Sequence, residues 1–152
     1  MPNWLRRRGK PTAYTVGALT ISDPWARGPS EVAPQCGGFF VVSNTAQTWD
    51  RLVAASSKVA ASVEIHAIRV VGADIKMRRL EDGLQISAEA TVTLKPRGYH
   101  LLMNHLAVPL AKGALLPVTL VFEKAGPIDI ELVVRDPGLV GNEILVEERS
   151  HG

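Results

Sequence analysis

The sequence predicts an all-β domain, built as an antiparallel β-sandwich or barrel. Three observations carry this. Apolar residues recur with a period of two rather than 3.6, the spacing of strands with one wet face. The 13 glycines and 10 prolines are scattered along the chain, so turn signals fall between short apolar stretches. The helix-like stretches are short and poor, and the candidate VPLAKGALL is interrupted by Pro109 and Gly113.

Each element follows from its own stretch. GGFFVVSN (37–44) reads as a core strand. SVEIHAI (62–68) and TVTLK (91–95) also read as strands, rich in β-branched residues. VVGAD and LEDGL supply turn chemistry through Gly72 and Asp82-Gly83. YHLLMNHL (99–106) reads as a buried strand that runs into a turn. VTLVFE (118–123) and IDIELVV (128–134) are joined by KAGP, which predicts a hairpin.

No internal repeat or linker divides the chain, and 152 residues suffice for one domain with a real core. The expected layout is a flexible basic tail over 1–14, the β-domain over 15–135 and an extension over 136–152. Residues 143–147 offer one added strand within that extension.

Bulk properties exclude several function classes. A hydrophobic share of 46% and a charged share of 21% are those of a globular chain. The net charge of +2 owes much to Arg6, Arg7 and Arg8, and the remainder is close to neutral. With few aromatics and no basic stripe, nucleic-acid binding is not expected. No stretch approaches 18 apolar residues, so no membrane span is expected. MPNWLRRRGK has the charge of a signal-peptide start, but no apolar region follows it. The single cysteine, Cys36, admits no internal disulfide and no Cys-based zinc site. Its place in CGGFFVV predicts a buried, inert thiol.

The common catalytic motifs GxGxxG, Walker loop, HExxH and GxSxG are absent, as is a CxxC pair. What remains is a set of soft and borderline ligands. His66, Met77, His100, Met103 and His105 fall within a 40-residue window. Singly, each has a plain structural explanation: His66 as a surface residue of Glu64's parity, Met77 as core filler beside Ile75, His100 as a loop cap. Together they point to copper. A thioether is a soft, neutral donor that hard cations ignore, and zinc prefers thiolate, imidazole or carboxylate. A mixed imidazole and thioether set suits Cu(I).

Four stretches carry a family resemblance. ISDPWAR (21–27), RLVAASSKVAASVEIH (51–66), LKPRGYHLLM (94–103) and VTLVFEKAG (118–126) resemble the PCu(A)C periplasmic copper chaperones. The match covers roughly 15–134, with SDPWAR and KPxGYH as its markers. The resemblance implies a cupredoxin-like Greek-key β-sandwich or barrel that holds one Cu(I) near one end with two histidines and two methionines. It also implies a periplasmic or extracellular monomer that delivers copper to a cuproenzyme or another copper chaperone, without catalysis. In the family pattern a His is followed eleven residues later by a Met. A second His comes 22 or 23 residues after that, and a Met two beyond it. His66, Met77 and His100 take the first three places.

The fourth place is Leu102, with the methionine one position later at Met103. Family members often carry a further Met two residues after the first His, where this chain has Ile68. In a strand, 100 and 102 share a face and 103 points to the other. Met103 joins His100 only if the strand bulges or ends between them. His105 lies in the turn NHLAVP, where parity lapses. Three outcomes stay open: a three-donor site, a site completed by Met103 or His105, or a degenerate fold serving as a non-metal interaction module. A blue-copper electron carrier is disfavoured, because Cys36 has no histidine near it in sequence.

Overall fold

A computed structural model describes residues 13–29 and 35–137. Eleven strands follow in chain order: β1 (Ala13–Val16), β2 (Leu19–Arg27), β3 (Cys36–Asn44), β4 (Asp50–Ser56), β5 (Ala60–Val71), β6 (Asp74–Arg79), β7 (Leu84–Ile86), β8 (Thr91–Thr93), β9 (His100–Leu106), β10 (Leu115–Phe122) and β11 (Gly126–Asp136). There is no helix among the described residues, and so none long and apolar enough to cross a membrane. The sheet begins at Ala13, two residues before the boundary expected from sequence. The Arg6–Arg8 cluster and the strand expected at 143–147 lie outside the described residues.

The strands close into a barrel. β2, β11, β10, β4, β5, β9 and β3 pair in that order, and β3 pairs back onto β2. Six of these seven contacts are antiparallel. The seventh, β11 against β2, is parallel and seals the ring through Val133 beside Trp25 and Val134 beside Ala26. The short strands β1, β6, β7 and β8 hang on β2, β5, β4 and β3.

Alternation sends one side chain in two to the barrel interior. β10 shows this most plainly: Leu116, Val118, Leu120 and Phe122 are buried and their neighbours are half-covered. They meet Phe40, Leu52, Leu101 and Ile130 in one apolar core, each large side chain contributing about 1.5–3 kcal/mol by leaving water. Cys36 and Met103 belong to this core. Burial pushes the Cys36 thiol up to about 12, the inert state expected from the sequence.

Turn chemistry sets the registers. Gly72 adopts φ 62° in the β5–β6 turn. Gly83 adopts φ 87°, and a Cβ there would sit 2.2 Å from the Leu52 carbonyl oxygen, so only glycine fits. The β10–β11 hairpin is held from below by buried Asp50, whose carboxylate accepts the backbone N–H groups of Lys124 and Ala125 at 2.8 and 3.0 Å.

Candidate metal centre

Pairing brings the two histidines together. In the β5–β9 register, His66 faces His100. Directly opposed residues of an antiparallel pair share a face, and the rings stack with centroids 5.8 Å apart and planes at 28°. The β5–β6 hairpin adds the thioether. Its register sets Met77 opposite Ile68 and Arg79 opposite His66. Ile68 lies two residues beyond His66, so His66, Met77 and His100 occupy one face. This face points out of the barrel, because the alternate residues Val63, Ile65, Leu101 and Met103 point into the core.

An outward face does not leave the histidines wet. His66 is 9% exposed and His100 5%. Phe39 lies 6.5 Å from the His100 ring, and Trp25 stacks on Phe39 at 4.5 Å. Beside them is a cavity of about 40 Å³, lined by His100, Met77, Ile68, Leu102, Phe39 and Arg97 among others. That is room for a single ion or water. His66 stacks on His100 and does not line the cavity. Met77 is 40% exposed, on a strand whose six residues are all exposed. It is therefore not the core filler that its parity with Ile75 allowed.

Each imidazole has one nitrogen engaged. The turn before β9 is closed by the Gly98 N–H donating to the Lys95 carbonyl at 2.9 Å. This turn sets the Gly98 carbonyl 3.0 Å from His100 Nδ1, which donates to it, so Nε2 keeps its lone pair. Burial lowers the His100 pKa from its ordinary value. The Gly98 hydrogen bond opposes that shift, and the His66 and Arg27 charges add to it. The neutral ring is the form that binds metal. His66 Nε2 sits 2.9 Å from Glu64 Oε1. The same hydrogen bond holds the Glu64 carboxyl below its usual range against the opposing effect of desolvation, with lesser help from the charges of Arg79 and His66. An ionised carboxylate only accepts, so Nε2 carries the proton. His66 Nδ1 is then buried without a hydrogen-bond partner. A buried acceptor left so costs about 1–3 kcal/mol.

Met103 and His105 are not brought to this face. The β5–β9 register runs without a slip from Ser62 beside Asn104 to His66 beside His100. No bulge therefore intervenes, and Met103 stays on the core face at 1% exposure, opposite Cys36 and Val63. It lines a separate cavity of about 500 Å³ together with Cys36 and His105. His105 is exposed, with a left-handed φ of 54°. Leu102 holds the fourth place geometrically: it faces Glu64 and Gly37 and lines the cavity with His100 and Met77. Among the described residues, no three His, Cys, Asp or Glu side chains form a metal-sized group, so a site here needs the thioether.

Sequence reasoning did not find the hydrogen-bonding role of Glu64, the Gly98 carbonyl, or the Phe39–Trp25 cover. Trp25 lay inside SDPWAR, and Glu64 was visible only as a marker of strand parity.

The family model described as "Putative lipoprotein LpqE-like" matches residues 19–134. The chain belongs to the LpqE-like family of PCuAC-related proteins. It is 27% identical over 118 residues to "Putative lipoprotein Lxx21020" of Leifsonia xyli subsp. xyli (strain CTCB07), covering 78% of this chain and 70% of that protein. Among solved structures, the copper-bound PCuAC domain from PmoF2 is 31% identical with a TM-score of 0.69, covering 82% of this chain and 98% of that one. The apo PCuAC domain from PmoF1 is 28% identical with a TM-score of 0.68, covering 82% and 99%. The CuI form of DR1885 from Deinococcus radiodurans shares the fold, at 20% identity and a TM-score of 0.62 over 86% of this chain and 85% of that one. The cupredoxin-like fold expected from the resemblance is the fold observed.

Proposed function

We propose that this protein binds one copper ion, Cu(I) in preference, through His66, Met77 and His100, and passes it to an acceptor protein by ligand exchange. The observation that carries this reading is the directly opposed His66–His100 pair with Met77 on the same face. Two imidazoles and one thioether make a soft donor set. His66 Nδ1, buried and unpartnered, is the kind of atom a metal ion satisfies. The likeness to a copper-bound PCuAC domain supports the same reading.

The buried histidines would hold the ion while half-exposed Met77 lets an incoming ligand approach. With three donors the ion is open to a fourth, so a partner's ligand enters before the first set lets go. No bond is made or broken in a substrate, so the protein acts as a carrier and not as an enzyme. Acceptors of matching chemistry are a cuproenzyme or a second copper chaperone. The lipoprotein description of the family and of the Leifsonia protein supports a site outside the cytoplasm. The double variant His66→Ala/His100→Ala should lose Cu(I) binding while keeping the fold. Retained affinity would remove the site assignment.

One observation favours a second reading. Leu102 and Ile68 are apolar and line the same cavity as His100 and Met77. A degenerate member of the family would use this face for a protein contact and would not withhold Cu(I) from even a moderate chelator.

A further inference from the structure

We propose that Glu64 selects the nitrogen with which His66 meets the metal: by holding Nε2–H, it leaves Nδ1 as the donor. The inference rests on the copper reading above and adds a positioning residue to it.

Glu64 and His66 lie two apart on β5 and share its outer face. The carboxylate Oε1 is 2.9 Å from His66 Nε2. Its other oxygen, Oε2, is 3.7 Å from Arg79 Nη1, across the β5–β6 register from His66. The carboxylate is thus tethered on both sides. Its pull on Nε2–H fixes the imidazole tautomer, as a carboxylate behind a metal-bound histidine does. The consequence is visible at the other ring nitrogen. Among the described residues, His66 Nδ1 is the buried side-chain polar atom that lacks a hydrogen-bond partner.

His100 is arranged the other way. The Gly98 carbonyl takes Nδ1–H and leaves Nε2. The stacked pair therefore offers one Nδ1 and one Nε2, each set by a different neighbour. Glu64 also faces Leu102 across the β5–β9 register, so it stands beside the place where the family pattern puts a thioether. Its engagement with His66 keeps it behind that ring and out of the donor set.

The test is long-range 1H–15N correlation of the imidazole nitrogens in the full chain, without metal and with one equivalent of Cu(I). In the apo form His66 should carry its proton on Nε2. On loading, His66 Nδ1 and His100 Nε2 should shift while His66 Nε2–H persists. Glu64→Ala should mix the His66 tautomers and weaken Cu(I) binding by about 10–100-fold. Glu64→Gln, whose amide oxygen still accepts from Nε2–H, should restore the tautomer and most of the affinity. A shift at His66 Nε2 on loading, with His100 responding, overturns this proposal and leaves the copper site standing. An Ala variant with unchanged tautomer and affinity overturns it as well. If neither histidine responds to Cu(I), the copper site itself fails and takes the proposal with it.

Discussion

Replacing Met103 by leucine separates two explanations of the displaced methionine. The side chain is 1% exposed in the core, beside Cys36 on β3 and Val63 on β5. Leucine conserves its volume and its apolar surroundings. Such swaps cost less than about 1.5 kcal/mol. Alanine leaves a cavity, and the cost for a buried methionine rises to about 2–5 kcal/mol. At about 3–4 °C per kcal/mol for a chain of this size, the alanine variant should melt roughly 6–20 °C lower. Neither change touches the face that carries His66 and His100. Cu(I) affinity of the leucine variant, read by competition with a colorimetric chelator, should stay within about twofold of wild type, roughly 0.4 kcal/mol. A tenfold loss in a leucine variant with near-normal melting would refute the face assignment. It would mean that β9 rearranges to bring the Met103 sulfur to the metal.

Further expectations follow from the same geometry. Leu102→Met sets a thioether on the His100 face at little cost in packing. It should tighten Cu(I) binding at least about tenfold, or 1.4 kcal/mol, in the same competition assay. The lowered His100 pKa means that the unfolded chain takes up its proton at a higher pH than the folded one. Apo stability should therefore fall as pH drops below about 6.5 and through the lowered value, and urea melts across that range should show a smaller fall in His100→Gln. Cys36, buried and pushed up to about 12, should resist iodoacetamide at neutral pH in the native chain and react in denaturant.

Much of the barrel was legible where strands bury one face only. β10 and β11 alternate cleanly, and Gly126, which opens β11, lies in the left-handed region at φ 87°. β6 escaped, since DIKMRR has no inward face: all six residues are exposed, and the strand exists only by pairing with β5. The parallel closure of β11 on β2 also left no trace, because parallel pairing of strands distant in the chain has no local signature. At the site, strand parity alone sets Leu102 and Met103 on opposite faces. Parity was silent on burial: His66 suited a surface position, yet its place opposite His100 leaves it almost covered. The pairing of Glu64 with His66 was equally hidden, since a shared face does not reveal a hydrogen bond.

The most direct measurement is a Cu(I) titration of the reduced wild-type chain against a chelator of known affinity. Wild type should compete at 1:1, carried by His66, Met77 and His100 without Met103 or His105. Failure of the wild type to withhold any Cu(I) would contradict it, and would leave a barrel that keeps the family's fold but not its copper.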